Sequence, residues 1–86
     1  MISIGIADDD ALVRQTLTDL LSENDDIVVA WTAKDGQEAL DLFRSSEVES
    51  RVQAVLVDVQ MPKMDGLALA QALLEEKPDI AILILT

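Results

Sequence analysis

Short apolar runs separate the amphipathic stretches of this chain: Ile2–Ala7, Ile27–Ala33, Ala54–Val57 and Ile80–Leu85. The first and third stop at aspartates, Asp8-Asp9-Asp10 and Asp58. Each run is short and rich in β-branched or aliphatic residues, which predicts strands buried on both faces. Between them, apolar residues recur at helical spacing: Leu12, Val13, Leu17, Leu20 and Leu21 with Thr16, then Ala39, Leu40 and Phe43, then Leu67, Ala70, Leu73 and Leu74. Asp9 or Asp10, the Asp35-Gly36 pair and Asp65 stand where helix caps and turns are needed. Ser22–Asp26 and Lys77-Pro78-Asp79 supply stops, Arg44–Ser50 reads as a polar loop, and a loop with Pro62 and Gly66 follows Asp58. Strands alternating with helices imply an α/β domain with a parallel sheet, joined by right-handed crossovers. At 86 residues, with no internal repeat or linker, one domain over 1–86 is expected.

In such a sheet, ligands meet the chain beyond the C-terminal ends of the strands. The rim there receives Asp8 and Asp9 from the first strand, Asp58 from the third and Thr86 from the fourth. If the first and third strands are neighbours, the three carboxylates converge. At separations of about 5 Å each pair repels by roughly 3 kcal/mol at an effective dielectric of about 20. Such a cluster raises a pKa or takes a cation. The chain has no cysteine and no histidine, which excludes disulfides, Cys/His zinc sites, haem ligation and histidine-based triads. Oxygen ligands alone favour Mg²⁺ or Mn²⁺, and Mg²⁺ with few carboxylates suits phosphoryl transfer. Against this stands a plainer reading, in which each aspartate only caps a helix or is solvated.

A net charge of −11 repels nucleic acid and anionic lipid, so neither is an expected partner of this segment. There is no basic leader before an apolar run and no stretch approaching a membrane span, so a cytoplasmic location is expected.

Ile6-Ala7-Asp8-Asp9-Asp10 with Leu12-Val13-Arg14, the stretch Val55-Leu56-Val57-Asp58-Val59-Gln60-Met61-Pro62-Lys63-Met64-Asp65-Gly66, and Ile82–Thr86 carry a resemblance. Together they resemble the receiver domain of two-component response regulators, over the entire chain. The resemblance is nearest to receivers with a helix-turn-helix output domain. It implies a flavodoxin-like sheet of order 2-1-3-4, an order for which a receiver is itself a standard example. It implies that Asp58 is the phosphoacceptor, attacking a phosphohistidine on a sensor histidine kinase. Asp9 would bind Mg²⁺ directly, Asp8 through water, and Asp58 and the backbone carbonyl of Gln60 would complete the protein ligands. Thr86 would offer its hydroxyl to a phosphoryl oxygen. Met64 and Trp31 read as packing residues and Lys63 as solvated.

Receivers continue past the position of Thr86 with a helix, a fifth strand bearing a lysine and a switch aromatic, and a fifth helix. On that basis the chain is expected to be an incomplete receiver, without its output domain. Lys34, Lys63 and Lys77 lie in the wrong segments to replace the lysine. One face of the sheet would then have a single helix, and the fourth strand would be an open apolar edge. Two or three uncovered Ile or Leu side chains forgo roughly 1.5–3 kcal/mol each, so self-association through the bare face or edge is expected. Two other functions stay open at this level. One is a docking or dimerisation module indifferent to phosphorylation. The other is a haloacid-dehalogenase-like phosphatase with Asp8 as nucleophile and Asp10 as acid/base, which leaves the Asp58–Gly66 stretch without a role.

Overall fold

A computed structural model describes residues 1–85, so the role expected of Thr86 lies outside the described residues. Its elements are β1 (Ile2–Ala7), α1 (Ala11–Ser22), β2 (Ile27–Ala33), α2 (Gly36–Ser45), β3 (Ala54–Asp58), α3 (Gly66–Glu76) and β4 (Ala81–Leu85), with a 3₁₀ turn at Val48–Ser50. The four strands form one parallel sheet of order β2-β1-β3-β4, as the flavodoxin-like reading requires. Right-handed crossovers then put α1 on one face and α2 with α3 on the other.

All three α-helices begin on an aspartate in extended backbone. Asp10 accepts from the N–H groups of Leu12 and Val13, Asp35 from that of Glu38 and Asp65 from that of Ala68. Each carboxylate satisfies donors that the first turn leaves without partners. Asp10 is therefore the cap of α1, and Asp9 is not.

The main core lies under α2 and α3. Ala39, Leu40 and Phe43 of α2 and Leu69 and Leu73 of α3 pack on Val55 and Val57 of β3 and on Ala7 and Ala33. Trp31 joins this cluster from β2, as expected of a packing residue. Arg44 and Arg51 both reach Glu76, at 2.6 and 3.5 Å, and Arg51 lies 4.8 Å from the centre of the Phe43 ring, closing the far end of the helix pair.

The helix stripes need correction. In α3 the buried residues are Gly66, Leu69 and Leu73, whereas Leu67 and Leu74 are exposed. The segment Leu67–Leu74 is so rich in Ala and Leu that several faces carry an apolar stripe, and contact with α2 selects one of them. In α1 no residue is fully buried, and Leu12 and Leu20 are 74% and 58% exposed. Part of the expected polar loop is ordered instead: α2 runs to Ser45, and the 3₁₀ turn is held by the Ser50 N–H on the Glu47 carbonyl at 2.9 Å.

Candidate functional site

The pairing of β1 with β3 sets Ala7 beside Val57, so the residues that follow each strand emerge together. Asp8, Asp9 and Asp58 each place a carboxylate oxygen within 4.8 Å of the others. This is the only such cluster among the described residues. The sequence predicted the grouping, and the strand order delivers it.

The three carboxylates differ in setting. Asp8 is 6% exposed; its N–H reaches the Ala33 carbonyl at 3.0 Å, and its Oδ1 accepts the Asp10 N–H at 2.9 Å. Asp9 is exposed. Asp58 is half-buried, and its Oδ1 accepts the Gln60 N–H at 3.3 Å. Burial raises the Asp58 carboxyl above the ordinary aspartate value. The charges of Asp8 and Asp9 and a hydrogen bond with Asp9 add to the rise, while the Gln60 N–H opposes it. An anion held against two others in a half-buried site is a group poised for a cation.

Space is available on the solvent side. Asp9, Asp58, Val59 and Gln60 line one open depression, and Asp8, Asp9, Asp10 and Asp58 share a second with Val13, Leu17 and Leu85. Gln60 lines the first of these depressions beside Asp58.

Sequence reasoning gave no role here to two residues. Arg14, one turn into α1, donates from Nη1 to the Asp8 carbonyl at 2.8 Å and so holds the peptide that leads into Asp9. Gly66 is the other. A Cβ there would overlap the Asp58 carbonyl oxygen and come within 2.8 Å of Val57 Cγ1. The Gly66 N–H reaches the Val59 carbonyl at 2.9 Å. No glycine among the described residues has positive φ. Gly66 is therefore required because it lacks a side chain, and this lets α3 start against the backbone of the central aspartate. Lys63 is largely solvated, as expected, but its backbone is left-handed at φ 68° and its Nζ lies 3.9 Å from Asp35 Oδ2.

In a doubly wound parallel domain ligands meet the chain where the strand order reverses, and here that rim holds the acidic cluster. Residues 4–86 match the family described as the response regulator receiver domain, and the chain belongs to that family. It is similar to response regulator MprA of Mycolicibacterium vanbaalenii, 42% identical over 85 residues, 99% of this chain and 34% of that protein. It is also similar to a protein-glutamate methylesterase/protein-glutamine glutaminase of Methanococcoides burtonii, 40% identical over 78 residues, 91% of this chain but only 21% of that protein. Among solved structures, the REC domain of AraT, a response regulator from Geobacillus stearothermophilus, superposes with a TM-score of 0.84 at 33% identity. That superposition covers 96% of this chain and 62% of the AraT chain. The chain thus spans about a fifth to a third of the curated relatives it matches. Family membership removes the phosphatase reading, in which Asp10 was the acid/base; Asp10 is engaged as a helix cap. No described helix is long and apolar enough to cross a membrane.

Proposed function

We propose that this chain is a phosphoacceptor module of two-component signalling, with Asp58 as the acceptor and a sensor histidine kinase as the donor. The observation that carries this reading is the raised, half-buried carboxyl of Asp58 set against Asp8 and Asp9 within 4.8 Å. Three hard oxygen ligands without nitrogen or sulfur fit Mg²⁺ or Mn²⁺. Asp9, Asp58 and the Gln60 carbonyl would hold the ion, with Asp8 acting through water. When bound, the ion offsets the negative charge gathered on the carboxylates and the incoming phosphoryl group. A carboxylate oxygen of Asp58 attacks phosphorus; the P–O bond forms as the P–N bond of phosphohistidine breaks, and the imidazole nitrogen leaves. Thr86 would donate its hydroxyl to the transferred group. The module itself is not an enzyme, and its output follows the domain joined to it. A transcription-regulating output is the one we favour, and a methylesterase, the activity named for seven of the curated relatives, is the alternative.

Intact mass after incubation with a small acyl phosphate and Mg²⁺ tests the reading. One phosphoryl adduct is expected on the wild type and none on Asp58→Asn. No adduct on either protein would overturn the phosphoacceptor role and favour a docking module indifferent to phosphorylation.

We also propose that copies of the chain associate through the α1 side of the sheet and the β4 edge. There Leu83 is half exposed beside the edge, and Leu12 and Leu20 of α1 are open. Sedimentation velocity is expected to show concentration-dependent dimers. Leu83→Lys should weaken them at least tenfold, since it puts a charge where apolar surface is buried. A wild type that stays monomeric at high concentration would rule the surface out.

A further inference from the structure

We propose that Gly36, at the start of α2, is a positioning residue for the Asp58 site, a role that rests on the phosphoacceptor reading above. Gly36 is buried and far from the carboxylates in sequence, yet it touches the loop that follows Asp58. A Cβ built on it would overlap the Met64 carbonyl oxygen and come within 2.8 Å of Met64 Cβ and 2.9 Å of Met64 C. Two of these three contacts are backbone atoms, which cannot swing aside as a flexible side-chain end can.

The loop is confined on its other sides as well. Met61 is buried in the core, and Gly66 lies against the Asp58 carbonyl oxygen, its N–H on the Val59 carbonyl. The segment Met64-Asp65-Gly66 therefore bridges two backbone contacts that admit no side chain, one on α2 and one on Asp58. A push on Met64 is passed along this short segment, whose far end lies against the backbone of Asp58. Asp35, the buried cap of α2, lies 3.9 Å from Lys63 Nζ, a second contact between the start of α2 and the same loop at its left-handed corner. The N-terminus of α2 is thus the seat on which the Asp58 loop is registered.

Mn²⁺ titration followed by the EPR signal of the free ion tests this, with Asp58 phosphorylation measured in parallel at saturating Mg²⁺. Gly36→Ala that remains folded by far-UV circular dichroism should raise the half-saturating Mn²⁺ concentration about tenfold. Its phosphorylation rate at saturating Mg²⁺ should fall less than threefold. That split is not expected from a general loss of folded protein, which lowers the number of sites and leaves their midpoint in place. An unchanged midpoint overturns the inference.

If Gly36→Ala does not fold, Lys63→Met decides. It frees the loop corner without a clash, so the midpoint should rise at least twofold. Simple electrostatics predicts the reverse, because a positive charge has been removed near the site. A midpoint that falls or stays put overturns the role of α2. A wild type that binds Mn²⁺ and is phosphorylated beside an unshifted variant refutes the positioning role alone. A wild type that does neither refutes the phosphoacceptor reading and this role with it.

Discussion

Gly66→Ala should lower the melting temperature by roughly 4–16 °C, although it adds only a single methyl group. Alanine at the first position of a helix would ordinarily help, by about 0.5–1 kcal/mol, through better propensity and a less flexible unfolded chain. Here the added Cβ would overlap the Asp58 carbonyl oxygen and crowd Val57 Cγ1 at 2.8 Å. Neither neighbour has room to yield: Val57 is fully buried, and Asp58 is the last residue of a strand paired to Leu85. Overpacking of this kind costs about 1–3 kcal/mol or more, so after the propensity gain the net change is a loss of about 1–2 kcal/mol. Thermal melts followed by circular dichroism check it. A melting temperature at or above that of the wild type would mean that α3 does not press on the acceptor strand.

Asp58→Asn should stabilise the metal-free protein at neutral pH, and the gain should vanish in acid. The sign follows from the raised carboxyl of Asp58. Below the ordinary aspartate value of 3.8 the group is protonated in both folded and unfolded chains, and aspartate resembles asparagine. As pH rises, the unfolded chain loses this proton first, so the folded state holds more protons and its stability falls. The loss is complete once pH exceeds the folded value. Each carboxylate pair at 4.8 Å repels by roughly 3 kcal/mol before solvent screening. Asp9 is exposed, so a net gain on the order of 1 kcal/mol is expected, about 4–8 °C in melting temperature. Saturating Mg²⁺ should reverse the order, because it stabilises only the chain that binds it. Melts of both proteins from pH 3 to 8, with and without Mg²⁺, test this. A wild type equal to the variant at every pH would show that the three charges do not strain the fold.

Much of the architecture could be read from the sequence because its strands end in chemistry. The bounds of Ile2–Ala7 and Ile27–Ala33 were legible because Asp8 follows one mostly apolar run and Asp26 and Lys34 flank the other. Asp8, Asp9 and Asp58 were legible as a group once β1 and β3 were taken as neighbours. The facing of α3 was not legible, because in Leu67–Leu74 almost every position is apolar. Nor were the tasks of Gly36, Gly66 and Arg14. Each acts on the backbone of another element or loop, and no local pattern of polarity records such a contact. The capping roles of Asp10, Asp35 and Asp65 lie between these cases. The residue type and spacing predicted a cap, but only the coordinates decide between Asp9 and Asp10.

The β1–β3 pairing has a consequence for how the molecule folds. Ile4 lies opposite Ala54, whereas β1 and β2 are joined through a single helix and meet over a shorter loop. Closing the longer loop costs more chain entropy, so β3 is expected to dock on β1 after β2. Asp58 cannot approach Asp8 and Asp9 until it has. A divalent cation bound at the rim as proposed would therefore find no complete site in the early folding chain and would not hasten the search. Its effect would fall on the reverse journey: held at the finished rim, it would fasten two strands that must part for the sheet to open, and the rate it changes would be that of unfolding.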